Sequence, residues 1–293
     1  MEKLPPVKLL ARSGIRLALS LFILGGFALT RPCIAGPYAP GVGQGGTTAV
    51  SANDPGLVLW ASAVGDLRRG PQAAFDPETY GDASFGLSTN ALGPADVTIS
   101  DEDQQTFSIV SLGDGGSITL SFPSPFRNGP GFDLVVFENS FSDTFLELAF
   151  VEVSSDGEHF TRFPSVSLTP TAGVQDDLTR DDFSTLDPTN LYDLAGKYRG
   201  GFGTPFDLTE LSGTAGLDIN HIVAVRIVDV VGSVGQWATR DSLGHIIKDP
   251  FPTVFPSSGF DLDAIGAFYP VPEPSGSILG LFGAALLLGL KRR

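Results

Sequence analysis

The sequence is poor in cysteine, histidine and basic residues. It has 1 Cys, 3 His, and 18 Lys and Arg against 33 Asp and Glu. A single thiol cannot form an intramolecular disulfide, and the scattered histidines lack the clustering that a zinc site requires. The acidic excess repels the phosphates of nucleic acids, so nucleic-acid binding is excluded as a function class.

Long helical periodicity is also missing from the sequence. The chain has 36 Gly and 22 Pro in 293 residues, and in residues 36–270 short apolar runs alternate with turn residues. Gly and Pro are the strongest signals for turns, and runs of this length are typical of strands. The composition therefore favours many short strands over helices.

The N-terminal residues have the anatomy of a secretory signal peptide. Four positive charges lie in residues 1–16, and Leu17 to Leu29 is an apolar run that ends before Arg31. Small residues then occupy the −3 and −1 positions of a cleavage site after Ala35, at Cys33 and Ala35. A membrane-spanning helix needs about 20 apolar residues, so we predict a cleaved signal peptide at residues 1–35.

The C-terminal residues 271–293 combine a proline-flanked glutamate, a short apolar segment and a basic end. The motif is Pro272, Glu273 and Pro274, and the basic end is Lys291, Arg292 and Arg293. This order resembles the PEP-CTERM sorting signal of Gram-negative bacteria that make exopolysaccharide. The resemblance implies cleavage by an exosortase-type membrane peptidase and delivery to the cell envelope, outer surface or extracellular matrix. The basic end would remain cytoplasmic and the prolines would keep the motif extended. The alternative is a C-terminal transmembrane anchor that is never processed.

The middle of the chain carries most of the negative charge. The two terminal segments hold 8 basic and 2 acidic residues, which leaves 10 basic and 31 acidic residues in 36–270, a formal charge of −21. Such a domain favours cations or neutral ligands.

Turn-bounded apolar runs predict a single all-β domain, a two-sheet β-sandwich or jelly roll, at residues 36–270. The four best strand candidates are Phe132 to Phe137, Leu146 to Val153, Ile222 to Val231 and Phe260 to Phe268. A glycine-rich turn at residues 113–116 predicts a hairpin between residues 107–112 and 117–122. Long loops are expected at residues 164–214 and 232–259, and loops of this length are often functional.

The segment Val151 to Phe160 predicts a second hairpin, with a turn at Asp156-Gly157. This strand, turn and aromatic residue resemble a hairpin of discoidin-like, galactose-binding-type jelly rolls, over about ten residues. The resemblance carries no activity, and it implies a jelly-roll fold for the domain.

Acidic and amide side chains recur at the predicted strand ends. Asp261 and Asp263 lie two apart on one predicted strand and so would share a face, where two carboxylates need a cation or donors. Ca²⁺ takes six to eight oxygen ligands, so we predict a calcium site, with turn caps or solvated side chains as the alternative. The candidate ligands are Glu138, Asn139, Asp229, Asp261 and Asp263. Trp237 lies in a polar segment and is the candidate for stacking on a sugar ring.

These features predict a non-enzymatic ligand-binding domain of the cell surface, for which exopolysaccharide is the expected ligand. Two alternatives remain open. The domain could be a structural component of the envelope or matrix without a ligand, or a glycoside hydrolase of that matrix with a carboxylate pair in a cleft.

Overall fold

A computed structural model describes residues 35–97, 108–171 and 186–272. The chain divides into two compact units, residues 1–34 and 35–293, and the described residues belong to the second. The predicted signal peptide lies outside the described residues except for Ala35, and the predicted tail lies outside them from Glu273 to Arg293.

Thirteen strands and one helical turn make up the regular structure of the described residues. The strands are β1 (Val50–Ser51), β2 (Leu59–Trp60), β3 (Ala63–Arg68), β4 (Val110–Ser111), β5 (Ser117–Phe126), β6 (Leu134–Glu138), β7 (Ala149–Ser154), β8 (Thr161–Arg162), β9 (Val166–Ser167), β10 (Leu191–Tyr192), β11 (Phe202–Phe206), β12 (Ile222–Asp229) and β13 (Asp261–Ala267). The helix α1 is Pro77–Tyr80, and 3₁₀ turns occur at Ser88–Ala91, Pro188–Asn190 and Leu208–Leu211.

The strands form two main antiparallel sheets. The first has the order β1-β11-β6-β13-β2, with β4 also paired to β13, and the second has the order β3-β5-β12-β7-β8. Strands β9 and β10 form a separate two-stranded ribbon. The central strands β6, β7 and β13 are buried along their whole length, as their nearly unbroken apolar sequences predict.

One hydrophobic core joins the two sheets. Its members come from both sheets and include Val136 and Ile265 from the first and Leu120, Val151 and Ile227 from the second. Because apolar residues of both inner faces bury one another, the architecture is that of a sandwich-like all-β domain. The expected all-β class is confirmed. Within the described ranges, no helix has the length and apolar character needed to cross a membrane.

The four predicted strands are present, but the first predicted hairpin is wrong. The tight turn forms, with Gly116 N donating to Gly113 O, yet β4 pairs with β13 and β5 pairs with β3 and β12. The turn therefore carries the chain from one sheet to the other. A Cβ on Gly113 would lie 2.2 Å from the carbonyl oxygen of Gly70, so the glycine serves this close backbone approach as well as the turn.

The second predicted hairpin is confirmed, since Glu152 pairs with Arg162 and Val153 with Thr161. The predicted loop at residues 164–214 is only partly right, because it contains β11, which pairs with β6 in the middle of the first sheet. The loop at residues 232–259 has no strand among its residues, all of which the structure describes. It packs against the end of the first sheet and contributes to the site below.

Candidate functional site

A cavity of about 300 Å³ opens where β6 ends and β13 begins. Its lining comes from four parts of the chain: the segment before β4, the β6–β7 connection, the β12–β13 loop and the first residue of β13. Four phenylalanines form one part of the wall: Phe85, Phe141, Phe145 and Phe255. Five polar residues complete it: Asn139, Glu147, Thr253, Ser257 and Asp261.

Side-chain hydrogen bonds shape the β6–β7 connection on one side of the cavity. The amide of Ser140 donates to Glu138 Oε2 at 2.7 Å, and the carbonyls of Ser142 and Phe145 both lie within hydrogen-bonding reach of the single Ser140 hydroxyl proton. The amide of Phe145 donates to Ser142 Oγ at 2.9 Å. These bonds curl the segment so that the rings of Phe141 and Phe145 stack, with centroids 4.5 Å apart.

Backbone hydrogen bonds join two other parts of the cavity lining, the segment before β4 and the β12–β13 loop. The amides of Ser84 and Phe85 both donate to the carbonyl of Pro256, at 2.8 and 2.9 Å. This link places Phe85 beside Phe255. Phe85, Phe141 and Phe255 are 39%, 57% and 57% exposed. Exposed phenylalanines around a concave site are unusual in a monomer and mark a surface that a ligand can cover.

Buried carboxyl groups form the floor of the cavity. Asp261 and Glu147 line it, and Glu138 lies one strand position from Asp261, opposite Leu262. Asp261 Oδ2 accepts a bond from Asn139 Nδ2 at 3.3 Å. Asp261 Oδ1 and Glu138 Oε1 are buried and have no hydrogen-bond partner among the described residues. A buried charged oxygen without a donor costs free energy, so these atoms need a ligand or a proton.

The acidity of these groups is strongly perturbed. Burial raises the pKa of Asp261 to about 7, and hydrogen bonds from the side chains of Ser111 and Asn139 oppose the rise. Burial, and next the charge of Asp261, raise the pKa of both Glu138 and Glu147 well above the usual range. In a site of low dielectric constant the ionised carboxylates repel one another, which favours their neutral, protonated forms unless a cation binds. The floor is therefore a strong attractor for cations and hydrogen-bond donors.

Arg69 is the basic residue whose charge acts on Asp261, but three of its five N–H donors bond to backbone carbonyls. The guanidinium donates to the carbonyls of Phe85 and Ser111 at 2.8 and 2.6 Å and to that of Gly86 at 2.5 Å. Burial lowers its pKa, and the charge of Asp261 opposes this. Arg69 thus fixes the segment that carries Phe85 and compensates the floor only from a distance.

Several other buried carboxylates bind backbone amides, and three of them are relevant to the predicted sites. Asp229 accepts from Gly115 N and Phe260 N at 2.8 and 2.6 Å. Asp133 accepts from two amides at 2.7 Å each, and Asp263 from two at 3.3 Å each. Both oxygens of each carboxylate are used, so these side chains connect loops to strands and have little capacity left for a ligand.

The predicted metal ligands therefore separate into two groups. Glu138, Asn139 and Asp261 come together at the cavity, whereas Asp229 and Asp263 bind backbone amides. A bulge in β13 between Leu262 and Ala264 interrupts the alternation on which the shared face of Asp261 and Asp263 depended. In the described part of the chain, no three His, Cys, Asp or Glu side chains form a group that could hold a metal ion.

The predicted stacking residue Trp237 is half-buried and does not line the cavity. Its ring packs edge-to-face against Phe75, with centroids 6.2 Å apart. Of the sorting motif only Pro272 is described, and it is exposed. The other sorting residues, Glu273, Pro274, Lys291, Arg292 and Arg293, lie outside the described residues.

Sequence reasoning missed the aromatic wall and Glu147. Phenylalanine usually indicates core, and its exposure at residues 85, 141 and 255 depends on three separate loops meeting. Glu147 lies inside an apolar run, where a charged side chain signals either an outward face or a special role. That signal was available in the sequence.

A scan of the chain against known protein families finds no match, and a search of curated proteins finds none either. The functional argument accordingly depends on the cavity itself.

Proposed function

We propose that this chain is an exported, non-enzymatic surface protein whose β domain binds a carbohydrate in the phenylalanine-walled cavity. One observation carries the proposal: exposed aromatic rings surround a floor of buried carboxyl oxygens that lack donors. Sugars present apolar C–H faces for stacking and hydroxyl groups that donate to carboxylates. A volume of about 300 Å³ suits one sugar unit and not a long chain segment.

The experiment is a glycan array probed with the purified full-length protein, followed by the variants Phe141→Ala and Phe255→Ala. Each deletion removes an exposed ring and should weaken binding about tenfold, since an aromatic contact contributes about 1 kcal/mol beyond its buried area. Phe132→Ala is the matched control, because Phe132 is 39% exposed and lies outside the cavity. Unchanged binding in both cavity variants would contradict the proposal.

The route to the surface is the second part of the proposal. A signal peptide at residues 1–35 would direct export, and an exosortase-type peptidase would recognise Pro272, Glu273 and Pro274 before release from the membrane. The charge pattern supports this, since Lys291, Arg292 and Arg293 favour a cytoplasmic end. Alanine substitution of the three motif residues should leave the protein membrane-retained. Mass spectrometry of secreted protein with an intact Arg293 would refute the sorting step.

The jelly-roll topology and the calcium site stay predictions. Glu138, Asn139 and Asp261 would supply oxygen ligands at the cavity floor, although no group of three His, Cys, Asp or Glu side chains that could hold a metal ion is found among the described residues. A calcium ion bound only to the folded state would raise the melting temperature. Thermal unfolding of the protein in EDTA and in millimolar Ca²⁺ tests this prediction. Identical melting temperatures in the two solutions would exclude calcium binding.

A glycoside hydrolase is the second candidate, and the perturbed carboxyl groups of Glu147 and Asp261 favour it. Hydrolysis requires one protonated and one ionised carboxyl group in a sugar-binding cleft. The pKa of Asp261 is about 7 and that of Glu147 is raised well above the usual range. An assay for new reducing ends, run on the glycans that the protein binds in the array, distinguishes hydrolysis from binding alone. Release of reducing ends by the wild type that is lost in Glu147→Gln would favour hydrolysis.

A further inference from the structure

We infer that the cavity selects a sugar that carries a protonated primary amine, as a hexosamine unit does. The inference depends on the carbohydrate-binding function proposed above and names the ligand class for that site. It is drawn from four properties of the cavity: the sign of its charge, the unpaired oxygens in its floor, the attachment of Arg69 to backbone carbonyls and the phenylalanine wall.

The charge of the lining residues is of one sign. Glu147 and Asp261 contribute carboxyl groups, and none of the nine lining residues is basic. Glu138 adds a third carboxyl group directly behind, fully buried. A neutral sugar would leave these carboxyl groups in their protonated forms, whereas an ammonium group would stabilise their ionised forms and would make each hydrogen bond charge-assisted.

The side-chain donors that act on Asp261 among the described residues, Ser111 and Asn139, are both neutral. Asp261 Oδ1 is buried and without a partner among the described residues, while Asn139 occupies Oδ2 and Ser140 N occupies Glu138 Oε2. A hydroxyl group donates one hydrogen bond and an ammonium group donates three. An amine can therefore bond to both lining carboxyl groups at once, which a single hydroxyl cannot do.

Arg69 does not fill this role from within the protein. Its guanidinium is held by three carbonyl oxygens, at 2.8, 2.6 and 2.5 Å. Moving it to Asp261 would break those bonds and release the segment that places Phe85. None of the nine residues that line the cavity is basic, so a cationic ligand is the group that can compensate its carboxylates directly.

The phenylalanine wall favours an organic cation over a bare ion. The stacked pair Phe141 and Phe145 presents ring faces that attract an ammonium group and its adjacent C–H groups. Phenyl rings offer no oxygen ligands to a metal, and the described residues hold no group of three metal-binding side chains. Amine and sugar ring together match a cavity that is lined by two carboxyl groups and four phenylalanines.

The test compares three methyl glycosides by titration calorimetry on the purified full-length protein at neutral pH. These are methyl glucosaminide, methyl N-acetylglucosaminide and methyl glucoside, which differ only at one carbon of the ring. We expect the amine to bind at least about tenfold more tightly than the other two, because its hydrogen bonds are charge-assisted. This comparison needs no variant and so does not depend on a variant's folding.

Glu147→Gln then locates the effect. It should weaken binding of the glucosaminide about tenfold and change binding of the glucoside by less than about twofold. Glu158→Gln is the matched control, since Glu158 is exposed on the β7–β8 turn, and it should change neither.

Two results overturn the inference in distinguishable ways. Equal binding of the three glycosides removes the amine preference and leaves carbohydrate binding in place. Binding of none of them, together with an array that retains no glycan, removes both the inference and the proposed function.

Discussion

Replacing Asp114 with asparagine should remove the part of the pH dependence of the domain's stability that comes from this carboxyl group. Asp114 is 8% exposed, and its Oδ2 accepts a hydrogen bond from Ala74 N at 2.7 Å. Burial raises its pKa from 3.8 to about 6, and the bond from Ala74 opposes the rise. An increase of about 2 in pKa corresponds to about 3 kcal/mol between the protonated and ionised forms.

The sign follows from proton linkage. Below pH 3.8 both states are protonated, and the stabilisation from this group is fully present. Between pH 3.8 and about 6 the unfolded chain releases its proton while the folded chain keeps it, so the free energy of unfolding falls. About 1 of the 3 kcal/mol is already lost at about pH 4.5, and about 2 kcal/mol remains to be lost by about pH 7.5.

The assay is urea denaturation followed by tryptophan fluorescence at these two pH values. Asparagine cannot ionise, and its side-chain oxygen can still accept from Ala74. The stability of Asp114→Asn relative to wild type should therefore be about 2 kcal/mol more favourable at the higher pH. Asp66→Asn is the control, because Asp66 is exposed on β3, and it should show no such difference. A difference of zero for Asp114→Asn would refute the assignment of a buried, high-pKa carboxyl group.

Three further changes test the structural contacts by urea denaturation. Gly196→Ala should lower the free energy of unfolding by about 3 kcal/mol or more, because a Cβ there would lie 1.7 Å from the carbonyl oxygen of Glu147. Gly157 has a similar φ and open space around it, so Gly157→Ala should cost only about 1 kcal/mol. Equal costs of the two substitutions would contradict the close contact at Gly196. Asp133→Ala should cost about 3 kcal/mol by leaving two buried amides without an acceptor, and a neutral effect would show that water replaces the carboxylate. Glu152→Gln weakens bonds between a buried carboxylate and two partly exposed arginines and should cost about 2 kcal/mol, so an unchanged free energy of unfolding would contradict the contribution of this network.

The fold class follows from local signals in the sequence. Mainly apolar runs, with at most two acidic residues in each, identify β6, β7 and β13, and the Asp-Gly turn identifies the β7–β8 hairpin, because these features depend on neighbouring residues alone. The failed hairpin at residues 113–116 shows the limit. A tight turn specifies a reversal of the chain, but whether its flanks pair with each other depends on competing strands such as β13, which lies about 150 residues further along the chain.

The cavity could be predicted only in part, for the same reason. Glu138, Asn139 and Asp261 were recognisable as polar residues at strand ends, and strand ends of one sheet can meet. The wall could not be predicted, since Phe85 and Phe255 approach each other only through the shared acceptor Pro256 O. Contacts between loops distant in sequence leave no periodic pattern.

Asp261 and Asp263 show why residue type alone does not identify a ligand-binding group. Both are aspartates, both are buried, and burial raises the pKa of each to about 7. The bulge between Leu262 and Ala264 gives them different surroundings: both oxygens of Asp263 accept backbone amides, whereas Asp261 retains an oxygen without a donor and lines the cavity. A buried carboxylate whose oxygens accept hydrogen bonds from backbone amides stabilises the fold by itself. A buried carboxylate beside a cavity that lacks such donors stabilises the fold only when a ligand binds to it. Asp261, rather than its neighbour, is therefore the residue at which ligand and stability should be coupled.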